Sequence, residues 1–242
     1  MINKLKVISI LNKYYLGENE SVRWVINNKE LTIKFESPSG GVRGVITCSD
    51  FDLDDSELAI YETKKLQNLI SICNGDLILK IEHLNKIPLK LHISDNNFNL
   101  IYPLSDLRLI SNKKGSINIP VWDAVLKLEL QDLDNIVKAK NAIPGDCDLK
   151  ITASWDEDKN PICEFVLGEN YNHSTKVIYG IRGDIKDMGI NLLLDADYFK
   201  SIFQANKDME RGSLFISKEG LIKIEFNSGN IKSEYFMVSR IS

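Results

Sequence analysis

The residues best placed to do chemistry are four aspartates, Asp50, Asp52, Asp54 and Asp55, crowded into six positions. Alternating carboxylates of this kind can ligate Ca2+. A calcium loop also needs a glycine at its sharp turn and a distal glutamate, and this run leads instead into the β-rich stretch Glu57 to Tyr61. A solvated turn is expected. The three histidines, His83, His92 and His173, have no paired metal-ligand spacing, and the first two fall in strand-like patterns. Pro38-Ser39-Gly40-Gly41 lacks the Gly-Lys-Ser/Thr and the following helix of a phosphate cradle, so it reads as a hairpin. No serine, cysteine or threonine sits in a recognisable nucleophile elbow. The chain is therefore expected to be no enzyme, with no catalytic residues, no metal site and no cofactor.

What remains are lysines, and their value depends on the elements that carry them. Lys6 and Lys13 fall in Leu5 to Tyr15, where Val7, Ile10, Leu11 and Tyr14 recur at helical spacing. Lys65 lies in Glu62 to Cys73, Lys138 and Lys140 in Gln131 to Asn141, and Lys200 in Asp195 to Asn206 with Lys207 just beyond; these three segments are also periodic. Taken over Asn3 to Lys13, Glu62 to Cys73, Gln131 to Asn141 and Asp195 to Lys207, the helices sum to +4 and the rest of the chain to −8, within the formal net charge of −4. An acidic protein with basic helices can offer a positive surface to a polyanion while staying soluble elsewhere. The alternative is ordinary helix chemistry. Asp132 and Asp134 ahead of Lys138 and Lys140 follow the order that the helix dipole favours anywhere.

Between the helices run short β-rich segments: Val22 to Ile26, Leu31 to Phe35, Val42 to Thr47, Glu57 to Tyr61, then Leu77 to Ile81, Pro88 to Ile93 and Phe98 to Tyr102. The second half replays this order. Strands are expected at Ala124 to Leu130, Leu149 to Ala153, Cys163 to Leu167, Thr175 to Ile181, Leu214 to Ser217, Leu221 to Phe226 and Ser233 to Val238, with Asn191 to Leu194 leading into the second helix of this half. Each half thus holds two helices in matching places, the signature of a repeated α+β domain. The polar, aperiodic stretch from Ser105 to Ile117 reads as a linker. The expected division is a first domain at 1–110, a connector at 111–122 and a second domain at 123–242.

A chain of 242 residues with 43% hydrophobic content fits two domains with real cores. No segment approaches a membrane span and no signal peptide is read, so a cytoplasmic protein is expected. Cys48, Cys73, Cys147 and Cys163 lie apart in apolar patterns and read as reduced core residues. The sequons at Asn19 and Asn172 carry no meaning in that compartment.

The run Ile117-Asn118-Ile119-Pro120-Val121-Trp122-Asp123-Ala124-Val125-Leu126-Lys127-Leu128-Glu129-Leu130-Gln131-Asp132-Leu133, followed by Asn135-Ile136-Val137-Lys138-Ala139-Lys140, resembles the connector and opening helix of the second domain in T4-type bacteriophage DNA polymerase sliding clamps. Phe51-Asp52-Leu53 and Glu57-Leu58-Ala59-Ile60-Tyr61, with the apolar spacing into Leu69-Ile70-Ser71, resemble a strand and the second helix of the first domain of such clamps. Similarity of element order covers most of the chain, and identity is confined to these stretches.

The resemblance implies a DNA-clamp fold: two similar domains, each with two helices packed on antiparallel sheets, assembled as a homotrimeric ring with the helices inside. It implies a viral processivity factor in DNA replication, acting in the host cytoplasm, with double-stranded DNA, the replicative DNA polymerase, a clamp loader and copies of itself as partners. Lys6, Lys13, Lys65, Lys138, Lys140, Lys200 and Lys207 would face DNA, while Asn141 stands where the phage pattern carries a basic residue. Pro120, Val121 and Trp122, with Phe236 and Val238, would form an apolar pocket for partner peptides; Trp122 could equally cap the second core. Phe98, Ile101 and Tyr102, opposite Val177 and Tyr179, would join subunits edge to edge. The competing reading is a monomeric, non-enzymatic structural or scaffold protein.

Overall fold

A computed structural model describes residues 1–110, 117–145, 148–168 and 175–240. In chain order the first half runs β1 (Ile2–Asn3), α1 (Lys4–Tyr15), β2 (Val22–Asn27), β3 (Glu30–Glu36), β4 (Val42–Cys48), β5 (Ser56–Ile60), α2 (Thr63–Ile72), β6 (Asp76–Leu84), β7 (Ile87–Ser94) and β8 (Asn99–Pro103). The second runs β9 (Ala124–Leu128), α3 (Leu130–Ala142), β10 (Asp148–Trp155), β11 (Pro161–Leu167), β12 (Val177–Ile185), β13 (Asn191–Asp195), α4 (Ala196–Ala205), β14 (Arg211–Ile216), β15 (Leu221–Ser228) and β16 (Ile231–Val238). The order of strands and helices is the same in both. The repeat extends to side chains: buried Val7, Ile10, Leu11, Lys13 and Tyr14 of α1 recur 126 positions later as buried Leu133, Ile136, Val137, Ala139 and Lys140 of α3.

The described chain divides into two compact units. The first takes Met1–Pro38, residues 44–110 and Asn230–Ser233; the second takes Ser39–Arg43, residues 117–229 and residues 234–240. In the first unit the strands form two antiparallel sheets, ordered β1-β6-β7-β8 and β4-β3-β2-β5. In the second the corresponding strands run as one series, β13-β10-β11-β12-β9-β14-β15-β16. The difference lies in the first strand of each unit. β9 is five residues long and pairs with both β12 and β14, whereas β1 has two residues and pairs with β6. Gly183 makes the β12–β9 join possible. A Cβ there would lie 2.4 Å from Leu126 Cδ2 and 2.6 Å from the Val125 carbonyl, so only glycine lets the two backbones approach.

Strand burial alternates as a half-buried sheet requires, as in buried Val22, Trp24 and Ile26 between more open neighbours. In the first unit Trp24 meets Phe51 edge to face at 5.7 Å. In the second, Phe165, Phe199, Phe203, Phe226 and Tyr235 form a run of aromatic contacts, the closest being Phe199 to Phe203 at 4.4 Å on successive turns of α4. Cys48, Cys73 and Cys163 are buried and unbridged; Cys147 lies outside the described residues. Among the described residues no helix is long and apolar enough to cross a membrane.

Candidate interaction surfaces

Each unit presents an antiparallel helix pair. In the first, the Lys4 ammonium donates to the Ser71 carbonyl at 2.7 Å and to that of Cys73, tying the start of α1 to the end of α2. At the other end Thr63 lies within hydrogen-bond reach of the Tyr14 hydroxyl at 3.3 Å, and midway the Gln67 amide donates to Asn12 at 3.0 Å. Burial pushes the Tyr14 phenol above its ordinary range, so it stays neutral. The second pair is joined by charge. Lys140 meets Asp197 at 3.0 Å at one end and Lys207 meets Asp134 at 2.6 Å at the other.

This geometry corrects two of the seven lysines. Lys13 and Lys140 are only 1% and 4% exposed, because each lies three or four residues along from Ile10 and Ile136 and so falls on the packed stripe. Lys140 also donates to the Gly145 carbonyl at 2.8 Å. Lys6 is half-buried and donates to the carbonyls of Ser49 and Asp50 at 3.1 and 3.0 Å. Lys65, Lys138 and Lys207 are exposed, Lys65 beside Glu62 at 3.1 Å, and Lys200 is half-buried. The acids that answer these lysines were missed: Asp134 reads in sequence as a dipole-favoured residue, and nothing local indicates a partner on another helix for it or for Asp197.

A groove of about 470 Å3 opens in the second unit, lined by Gly40, Gly41, Arg43, Ile117, Asn118, Pro120, Glu219, Leu221, Phe236 and Val238. It gathers Pro120, Phe236 and Val238 from the expected set and leaves out Val121, which is 78% exposed, and Trp122. Trp122 is half-buried and rests on Phe215, ring centroids 5.7 Å apart. Its neighbour continues the series: the Lys223 ammonium lies 5.6 Å from the Phe215 ring and 5.7 Å from the Phe236 ring, with Glu225 and Glu234 as its carboxylate partners. A row of rings around one cation therefore leads from Trp122 to the groove wall at Phe236. The groove's Arg43, Glu219 and Leu221 were not foreseen, since strand pairing alone brings them beside the connector.

Among the described residues, β8 and part of β12 each leave one side without a strand partner. β8 bonds to β7, and residues 177–182 of β12 bond to β11 while only 183–185 bond to β9. Ile101 and Phe98 are exposed at the first edge. Tyr102 is not: it is 1% exposed, alternates to the inner face, and its hydroxyl accepts from the Tyr61 amide at 3.1 Å, so it belongs to the core. Val177 and Tyr179 are half-buried, with Tyr179 donating to Asp132 at 2.7 Å, and the exposed apolar residue on this edge is Ile178.

Aspartates of the 50–55 run tie down segments remote in sequence. Asp52 pairs with the N-terminal amine and Asp55 accepts from the Asn28 amide at 2.8 Å. His92 contacts Glu82 at 2.7 Å, with Lys90 on the other carboxylate oxygen at 2.9 Å; His173 lies outside the described residues.

No family model matches the sequence, and no curated protein matches it by sequence comparison. Solved structures match nearly the whole chain. It is similar to the proliferating cellular nuclear antigen (PCNA) of Entamoeba histolytica, with a TM-score of 0.79, 13% identity, and 99% of this chain and 96% of that one covered. It is similar to A. fulgidus PCNA, solved with the C-terminal region of FEN-1 bound, with a TM-score of 0.76, 10% identity, and 100% and 97% covered. Against the PCNA2–PCNA3 complex of Sulfolobus tokodaii the TM-score is 0.72 at 11% identity, with 99% and 98% covered. Similarity that spans both repeats end to end makes this the PCNA-type sliding-clamp fold, α+β with antiparallel sheets and two helices in each unit.

Proposed function

We propose that the chain is a subunit of a sliding clamp that encircles duplex DNA and tethers a replicative DNA polymerase, acting through topology rather than catalysis. The observation that carries this reading is the end-to-end match of both units to clamp structures, each unit keeping one antiparallel helix pair. Assembly would be a closed homotrimer in which the β8 edge of one subunit pairs with the open half of β12 in the next, covering Ile101 and Ile178. A head-to-tail contact of this kind closes only if every subunit offers both edges, and this chain has both.

The groove beside Pro120 is the proposed partner site. Phe236 and Val238 supply an apolar wall, and Arg43 and Glu219 a polar rim, as an inserted peptide with apolar anchors requires. The FEN-1 segment bound to the A. fulgidus protein supports a peptide-binding role by similarity of fold. The polymerase and a clamp loader are the partners proposed. A phage origin, and with it the host cytoplasm, rests on the resemblance of residues 117–140.

The test is retention on closed circular DNA after a high-salt wash. A clamp stays on circles and runs off when they are cut. Equal loss from circular and linear DNA would remove the topological reading and favour a scaffold.

A further inference from the structure

The two helix pairs carry different charge. Within their bounds α1 and α2 hold Lys4, Lys6, Lys13, Lys64 and Lys65 and no acidic residue. α3 and α4 hold Lys138, Lys140 and Lys200 against Asp132, Asp134 and Asp197, an equal number of each sign. In the second unit two of these acids pair with lysines. Asp197 holds the buried Lys140, and Asp134 holds Lys207 at 2.6 Å while also facing Lys138, so that both lysines depress its carboxyl below the usual range.

On the first helix pair Lys4 is used on the end of α2 and Lys6 on the carbonyls after β4. Of the lysines on that helix pair, Lys64 and Lys65, in the first turn of α2, are the exposed ones. Two acids stand near. Glu20 accepts from the Lys64 backbone amide at 3.0 Å, and Glu62 pairs with Lys65 at 3.1 Å three residues along the same chain segment, looser than the 2.6 Å pair that joins Asp134 to Lys207 across two helices. Lys64 lies 5.9 Å over the Tyr15 ring, which leaves its charge intact.

Resting on the clamp reading, we propose that duplex DNA is held electrostatically by α2 of the first unit, and that Asp134 is a built-in brake that withholds Lys138 and Lys207 of the second unit from the phosphates. Each lysine that neutralises a phosphate releases counterions, so affinity and its salt dependence rise together with the number of available cations. A protein that must move along DNA gains from keeping that number small. An acid set among the lysines does so without removing them, because it supplies an internal anion that competes with the phosphate.

The experiment measures anisotropy of a labelled linear duplex of mixed sequence across a KCl series. Asp134→Asn should tighten binding severalfold and steepen the slope of log K against log salt by about one to two units, as one or two freed lysines require. Asp134→Ala, which removes the hydrogen bond as well, should do the same with the thermal midpoint checked beside it. Lys64→Gln with Lys65→Gln should weaken binding about tenfold and flatten the slope by about two units. Lys138→Gln with Lys207→Gln should change wild-type affinity less than about twofold, but should abolish the gain from Asp134→Asn. Unchanged or weaker binding by both Asp134 variants, or equal losses from the two lysine pairs, would overturn the brake while leaving the clamp reading in place. A wild-type protein that shows no salt-sensitive binding would overturn both.

Discussion

Lys140 of α3 and Asp197 of α4 face each other at 3.0 Å, with the lysine side chain 5% exposed and the aspartate 55% exposed. The position matters because the same stripe of α1 carries Tyr14, whose hydroxyl meets Thr63 on α2. At this position one repeat joins its helices through neutral groups and the other through an ion pair. Asp197→Ala should therefore take the carboxylate away from a buried ammonium that also donates to the Gly145 carbonyl, at a cost of about 1–3 kcal/mol in urea unfolding, below that of a wholly buried pair because the acid is wet. A loss under about 0.5 kcal/mol would mean that the ammonium reaches water.

Gly183 should tolerate no side chain. With a Cβ placed 2.6 Å from the Val125 carbonyl, Gly183→Ala must separate β12 from β9 and should cost about 1–3 kcal/mol. Gly75, at a bend and with nothing within 4 Å of a Cβ, has a positive φ of 72° and should lose a smaller amount, about 1 kcal/mol, on the same substitution. Thermal melts of the two variants side by side give the ranking; the reverse order would show that the join is not held by close approach.

Burial pushes the Cys163 thiol up to about 12. A thiol raised in the folded state above its unfolded value of about 8.5 keeps its proton longer when folded. Its contribution to stability is full below that unfolded value, and declines as pH rises from there toward the folded value. Stability should fall on the alkaline side, and Cys163→Ser should remove part of that slope. At neutral pH the native thiol should react with alkylating reagents far more slowly than in the denatured chain, which mass spectrometry of the labelled peptide measures; equal rates would place the thiol in water.

Trp122 and Phe236 should separate when partner binding and stability are measured on the same variants. Phe236 lines the groove, so Phe236→Ala should reduce affinity for a polymerase-derived peptide by about 1–3 kcal/mol. Trp122 rests on Phe215 outside the groove, and Trp122→Ala should mainly lower the thermal midpoint. Loss of peptide affinity with an unchanged midpoint for Trp122→Ala would return the indole to the binding site.

The repeated architecture was legible because both periods are clean. Val7, Ile10, Leu11 and Tyr14 mark one helix, and Phe199, Ile202 and Phe203 another, at spacing that only a helix uses. The two-residue β1 was not legible, since Ile2–Asn3 is too short to show alternation and is held by pairing with Leu77 and Asp76. The lysines were partly misread for a related reason. Lys13 and Lys140 sit at the boundary of the apolar stripe, where spacing cannot decide between solvent and core, and for Lys140 a distant acid decides it. Tyr102 followed strand alternation to the inside, which the edge assignment had overlooked. The groove was half visible: Pro120, Phe236 and Val238 carry apolar character, but Arg43 and Leu221 reach it only through the fold.

Mass in solution tests the central claim most directly. Light scattering of the intact protein across micromolar concentrations should give three times the 27.5 kDa chain mass, and Ile101→Arg with Ile178→Arg should reduce it to that of one chain while leaving the circular dichroism spectrum unchanged. A wild-type protein that stays monomeric at every concentration, with and without duplex DNA, would contradict the clamp.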